Sequence, residues 1–180
     1  VDVWGRIRRL NESARAQYLA TEEARRSVEI GLVAGVASTY FNLRAFDRQL
    51  EIARATLASR EDMLELTRIK FADGEGIVSE LDVAQAQTQV AAARSSIASL
   101  RRLVATTENA LSLLVGSAPR EIPRGLGIGE QWRPEEVPAG LPADLLLRRP
   151  DLRAAEQNLV AANADIGVAR AAYFPAISLT

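Results

Sequence analysis

Apolar residues recur every seven positions over residues 32–114. On a first run Val36, Leu43, Leu50, Leu57, Leu64 and Phe71 stand seven apart, with Leu32, Phe46 and Ala53 filling the intermediate turn. On a second, Val83, Ala86, Val90, Ala93, Ile97, Leu100, Val104, Thr107, Leu111 and Leu114 step by three or four, and of these only Thr107 is not apolar. A strict seven-residue repeat makes helices supercoil, because only a partner helix can cover so narrow a stripe. The two runs are therefore expected to pair as antiparallel arms of a coiled-coil hairpin. Leu43, Leu50, Leu57 and Leu64 would pack against Val83, Val90, Ile97 and Val104. The arms meet at a turn running from Phe71 to Ser79, where Gly74 and Gly76 give the backbone freedom to reverse. Ser79-x-x-Asp82 then reads as a capping box opening the second arm.

The same patterning predicts the remaining elements. Residues 1–4 alternate like the last turn of a strand, and a long first helix follows over 5–71. No proline interrupts Arg6 to Lys70, a span that as one helix would run ~100 Å at ~1.5 Å per residue. Its opening carries a thin seam of Ile7, Leu10, Ala14, Tyr18 and Ala24. Residues 28–46 are apolar on much of the circumference, which calls for burial on more than one side. Gly31 and Gly35 in that stretch would admit a neighbouring backbone. After the tip turn (72–79) and the second helix (80–115), Gly116 is placed as a C-cap glycine. A proline- and glycine-rich connector fills 116–142 and a short helix 143–149.

Pro150 suits the first turn of a third long helix (150–173), with Asp151 favourable at its positive end. Leu152, Ala155, Leu159, Ala162, Ile166, Ala169 and Tyr173 form its seam, and its length suits the first helix's uncovered half. Phe174-Pro175 breaks it, and 174–180 alternates as the start of another strand. The expected class is thus all-α, a long antiparallel hairpin plus a third long helix. The strand ends at both termini are expected to belong to a β element outside this stretch, so the chain reads as an excerpt of a larger protein.

Composition narrows the chemistry. The chain is 5% aromatic and rich in alanine, which suits close helix–helix packing. Of 22 basic residues only Lys70 is lysine, and charges of both signs are interspersed, so there is no footprint for nucleic acid. Histidine and cysteine are both absent, which removes Ser-His-Asp and Cys-His catalysis together with thiolate and imidazole metal sites. No catalytic residue, metal ligand or cofactor is expected. No apolar run is long enough to cross a bilayer as a helix.

The stretch from Pro138 to Glu156, centred on Leu145-Leu146-Leu147-Arg148-Arg149-Pro150-Asp151-Leu152, closely resembles a signature of the OprM/NodT-type lipoproteins in the TolC-like outer membrane factor family. Ala161 to Thr180, including Ala171-Ala172-Tyr173-Phe174-Pro175, also matches, as do Val3-Trp4-Gly5-Arg6 and Leu81-Asp82-Val83-Ala84-Gln85-Ala86-Gln87. The resemblance implies a homotrimeric channel with an outer-membrane β-barrel and a periplasmic α-barrel. This segment would stand in the periplasm, as the first of two strand-plus-hairpin repeats. It further implies a passive exit duct for drugs or other small molecules, served by a periplasmic adaptor at the hairpin tips and an inner-membrane RND-type pump. The adaptor would meet Phe71, Gly74, Gly76, Ile77, Val78, Ser79 and Asp82. The family tip runs aromatic-x-x-Gly-apolar-x-Ser/Thr-x-x-Asp, whereas Glu75-Gly76 here adds two residues, so either glycine could hold the family position.

Two alternatives stand beside that reading. The tip could be an ordinary hairpin turn, although exposed Ile77 and Val78 exceed what chain reversal needs. The whole could be a free-standing coiled-coil interaction module such as an adaptor's hairpin, which would predict a self-sufficient chain without cut strands.

Overall fold

Helix dominates because the sequence leaves little to interrupt it. In the computed structural model, which describes residues 2–73, 78–130, 144–175 and 177, α1 (Arg6–Ala72) runs without a break. It is followed by α2 (Glu80–Leu114), a 3-10 turn at Ile128–Glu130, α3 (Asp144–Arg148) and α4 (Pro150–Ala171). No strand occurs among the described residues, and no helix there is long and apolar enough to cross a membrane. The chain divides into two compact units, one of Val1–Val33 with Pro134–Thr180, the other Ala34–Arg133.

In the second unit α1 and α2 run antiparallel. Arg60 donates to Gln89, Glu61 accepts from Arg94 at 2.6 Å, and Leu64 shares a groove with Val90. Along α2 the covered positions include Val83, Ala86, Val90, Ala93, Ile97, Leu100, Val104, Thr107 and Leu111, the three-four spacing of the sequence, with Glu108 and Ser112 covered beside them. On α1 they include Leu43, Phe46, Leu50, Ala53, Leu57 and Leu64, with Leu43 wholly buried. The stripe stops at its ends, since Phe71 is 47% exposed. Gly116 closes α2 at φ +73°, a conformation side chains resist. Its N–H bonds Leu113 O at 3.0 Å and that of Ser117 bonds Ser112 O at 2.9 Å, the paired bonds of a Schellman motif.

In the first unit α4 lies antiparallel to the opening of α1, so that Arg153 reaches Glu23 at 3.4 Å while Gly167 faces Arg9. The contact does not use the expected seams. Ser13, Ala16, Ala20 and Glu23 are the buried residues in the opening of α1, and Ala161, Ala164 and Ala171 those of α4. Ile7, Leu10 and Tyr18 are exposed, as are Leu152, Leu159, Ile166 and Tyr173. Small side chains win the contact because they let two helices come close. Gly167 shows this, as a Cβ there would stand 3.0 Å from Arg9 Cγ.

Other expectations also change. Val3 and Trp4 form a turn rather than a strand end, because Asp2 caps α1, accepting from the Ile7 and Arg8 amides at 3.1 and 3.0 Å. Phe174 is a bend and Ile177 has no regular structure. A strand needs a pairing partner, and the described residues supply none. The remaining strand residues, 176 and 178–180, lie outside the described residues, as does the connector from 131 to 143. Val28, Ile30, Leu32, Val33 and Phe41 of the apolar belt are exposed, and nothing stands within 4 Å of a Cβ at Gly31 or Gly35.

Candidate functional site

The hairpin tip is built from two helix ends. α1 finishes in Lys70, Phe71 and Ala72, with Lys70 favourable at the negative end of the helix dipole. α2 begins at a complete capping box. The Ser79 N–H and hydroxyl donate to Asp82 Oδ2 at 2.8 and 2.7 Å, and the Asp82 N–H returns to Ser79 Oγ at 3.3 Å. The Ser79 hydroxyl, then its N–H, hold the Asp82 carboxyl below its ordinary pKa. Phe71, Ser79 and Asp82 are exposed and Val78 is half-buried. Gly74, Gly76 and Ile77 lie outside the described residues.

Behind the tip, the packing residues named from the sequence fall into two groups. Leu43, Leu64, Val90 and Ile97 are buried, whereas Leu50, Leu57, Val83 and Val104 are half-buried. Among the described residues the seam is apolar except at Thr107. Among the described residues no group of carboxylates is placed to hold a metal ion.

The far end of the hairpin holds a feature that the sequence did not announce. Arg124, in the connector, forks across both arms. Its Nε and one terminal nitrogen donate to Asp47 on α1 at 2.7 and 3.3 Å, and the other reaches Glu108 on α2 at 2.5 Å. The Asp47 hydrogen bond is the main reason the guanidinium is held charged above its ordinary value, with Glu108 adding to it against partial burial. Arg44 adds a second tie, donating to Asp47 at 3.2 Å and to the Leu126 carbonyl at 3.0 Å. The Gly125 N–H donates to Tyr40 Oη at 2.9 Å. Fully buried Ser112 bonds the backbone of Arg120 on either side of its hydroxyl. Together these strap residues 120–126 across the base of the hairpin. Arg148, Arg149 and Asp151 resolve into a helix boundary, where Arg149 pairs with Asp151 at 2.6 Å and fixes no wider site.

This two-helix hairpin with a capped tip matches a known group of proteins. The family model described as outer membrane efflux protein matches residues 1–117 and 141–180. The chain belongs to that family. The solvent efflux pump outer membrane protein SrpC of Pseudomonas putida is 50% identical across the whole chain, which spans 38% of that protein's length. The cation efflux system protein CusC of Escherichia coli is 41% identical, again across the whole chain and 39% of its own length. Among solved structures, a membrane protein from Pseudomonas aeruginosa matches at TM-score 0.86 and 40% identity, over 97% of this chain and 40% of that one. The open state of the MtrE outer membrane channel of Neisseria gonorrhoeae matches at TM-score 0.83 and 35% identity, over 96% and 39%. The helical fold described above matches the helical part of these channels over the aligned stretch, and the chain spans about two-fifths of the length of its curated relatives.

Proposed function

We propose that this chain forms part of the periplasmic wall of a homotrimeric outer-membrane efflux duct. The duct works passively as the exit of a tripartite system, taking drugs or other small molecules from an inner-membrane RND-type pump through a periplasmic adaptor. One observation carries the reading. In α4 the covered face is Ala154, Gln157, Ala161, Ala164, Val168 and Ala171, whereas Leu152, Leu159 and Ile166, seven apart, are exposed. At 3.6 residues per turn the two sets lie on opposite sides of the helix. The opening of α1 repeats this, with Ser13, Ala16 and Ala20 covered and Ile7, Leu10 and Tyr18 exposed behind them. A helix with two opposed apolar stripes needs two neighbours, and helices that each need two neighbours close into a ring. A ring of helices is a tunnel wall.

The tip is the adaptor's docking point in this reading, with exposed Phe71 and the Ser79–Asp82 cap at its rim and Gly74, Gly76, Ile77 and Val78 between them. Relatives named for solvents, toluene, antibiotics and cations support small-molecule export without favouring one cargo. The test is cross-linking in the full-length protein. A photo-reactive residue in place of Leu159 should cross-link to a neighbouring protomer or to a second hairpin of the same protomer, and one at Phe71 should capture the adaptor. A protein that stays monomeric in its membrane, with Leu159→Cys open to aqueous reagents, would sink the duct.

A further inference from the structure

The aspartates of this chain differ in how firmly each is held. Asp47, Asp62 and Asp165 lie inside helices, where the next residue's N–H is committed to a carbonyl one turn back. The same is true after Asp82, since the Val83 N–H bonds the Ser79 carbonyl at 3.3 Å. Asp151 is gripped by Arg149 through hydrogen bonds of 3.1 and 2.6 Å, and Asp2 by the Ile7 and Arg8 amides. Each of these, like Asp144, precedes a residue larger than alanine. Asp73 differs on every count. α1 ends at Ala72, and Asp73 lies just past it, its N–H bonding the Ile69 carbonyl at 3.0 Å. The residue is exposed, and its carboxylate has no hydrogen bond or ion pair among the described residues. The residue that follows is Gly74. A glycine has no Cβ to crowd an approach to its own nitrogen.

An aspartate carboxyl can close a five-membered ring on the amide nitrogen of the next residue, and proximity alone drives such a step when nothing restrains either group. We propose that Asp73 is a self-modification site, at which the tip aspartate converts to isoaspartate. The Gly74 nitrogen attacks Asp73 Cγ. An N–Cγ bond forms, a carboxyl C–O bond breaks, and that oxygen leaves as water with the amide proton. Water then opens the ring. Addition at Cγ restores aspartate, whereas addition at the Asp73 main-chain carbonyl breaks its bond to the Gly74 nitrogen. The chain then runs through Cβ and Cγ, one carbon longer, and the former main-chain carbonyl becomes a free carboxylate. One water leaves and one enters, so no co-reactant is needed. In the docking reading above, on which this last step rests, the longer backbone alters the turn that the adaptor meets between Phe71 and Ser79.

The test keeps the folded full-length protein in heavy-oxygen water for days to weeks, beside a synthetic peptide spanning Phe71–Arg94. Trypsin releases that same fragment, which holds Asp73 and Asp82 together. Ring opening takes its oxygen from solvent, so the fragment, cut out in ordinary water, should carry heavy oxygen at Asp73 and none at Asp82. Electron-transfer fragmentation should find isoaspartate at Asp73. The rate in the folded protein should lie within a few-fold of that in the peptide, and Asp73→Glu, which needs a larger ring, should take no label. A folded protein whose Asp73 stays unlabelled while the peptide reacts overturns the proposal. Adaptor binding is then compared before and after ageing. Aged wild type should bind more weakly than fresh, and aged Asp73→Glu as well as fresh. Equal binding by fresh and aged wild type overturns the effect on docking. No binding by the fresh protein overturns the docking reading and leaves the chemistry at Asp73 in place.

Discussion

Replacing Arg124 is the sharpest way to ask what holds the base of the hairpin. Its guanidinium is 27% exposed, Asp47 25% and Glu108 19%, so the cluster lies between a solvated pair, worth about 0–1 kcal/mol, and a buried one, costing about 3–5 kcal/mol to break. Arg124→Gln removes three contacts to carboxylates, but the losses are unequal. Asp47 keeps Arg44 at 3.2 Å, whereas Glu108 has no second cation among the described residues. The expected cost is about 2 kcal/mol, much of it the stranding of Glu108. Amide hydrogen exchange of the full-length protein reads this locally, and about 2 kcal/mol should speed exchange roughly 30-fold where opening limits it. The effect should centre on α1 near Asp47 and α2 near Glu108, leaving the tip unchanged. Arg124→Lys should not fully rescue, because a single ammonium nitrogen cannot reproduce the two-nitrogen hold on Asp47 together with the reach of a third nitrogen to Glu108. With Glu108→Gln already present, Arg124→Gln should cost clearly less than in the wild type. If Arg124→Gln leaves exchange at both sites unchanged, or if Lys restores it fully, the clasp is ornamental and the connector is held by Tyr40, Arg44 and Ser112.

Four further outcomes follow from the same structure. Leu43→Ala, at a side chain with no exposure, should destabilise the hairpin by about 2–5 kcal/mol, read as a fall in the thermal midpoint of helix signal. Gly116→Ala should cost about 1–2 kcal/mol because its φ of +73° is disfavoured for any side chain, with faster exchange confined to the last turn of α2. Ala164→Leu, at a position 2% exposed, should cost about 1–3 kcal/mol by overpacking against α1, whereas Asn158→Leu, at an exposed position between the two stripes, should be tolerated in thermal unfolding. The Asp82 carboxyl is lowered in the folded state, so its cap contributes stability above the unfolded pKa and loses it as pH falls through the folded value. Exchange in the first turn of α2 should therefore rise in acid, and Asp82→Asn should flatten that pH dependence.

The sequence carried the helices and the hairpin because those features depend on neighbours close in sequence. A heptad stripe announces that a helix has a partner, and the glycines and Ser79-x-x-Asp82 between two such stripes announce that the partner is the next segment. What it concealed depends on distance. Arg124 lies 77 residues from Asp47 and 16 from Glu108, in a proline- and glycine-rich stretch with no period to read. Asp2 misled for a different reason. Apolar–polar alternation looks the same whether a polar side chain faces solvent from a strand or bends back to cap a helix, and only the amides of Ile7 and Arg8 distinguish the two.

The first unit shows a limit of periodicity that is physical. Leu152, Leu159, Ile166 and Tyr173 recur every seven residues as regularly as Leu43, Leu50, Leu57 and Leu64, yet they are exposed and an alanine face is covered instead. Periodicity measures how strongly one side of a helix avoids water, so it gives most weight to the largest side chains. It does not measure which partner satisfies each side. Where a helix has one neighbour, as Leu43 to Leu64 have in α2, the largest stripe and the covered stripe coincide. Where a helix has two, the nearer neighbour takes the face that permits the closest approach, and the larger side chains remain for the other. The failure of the expected seam in α4 is thus itself informative, because on the proposed tunnel reading a misplaced heptad of this size marks the face of a helix that is left for a second neighbour.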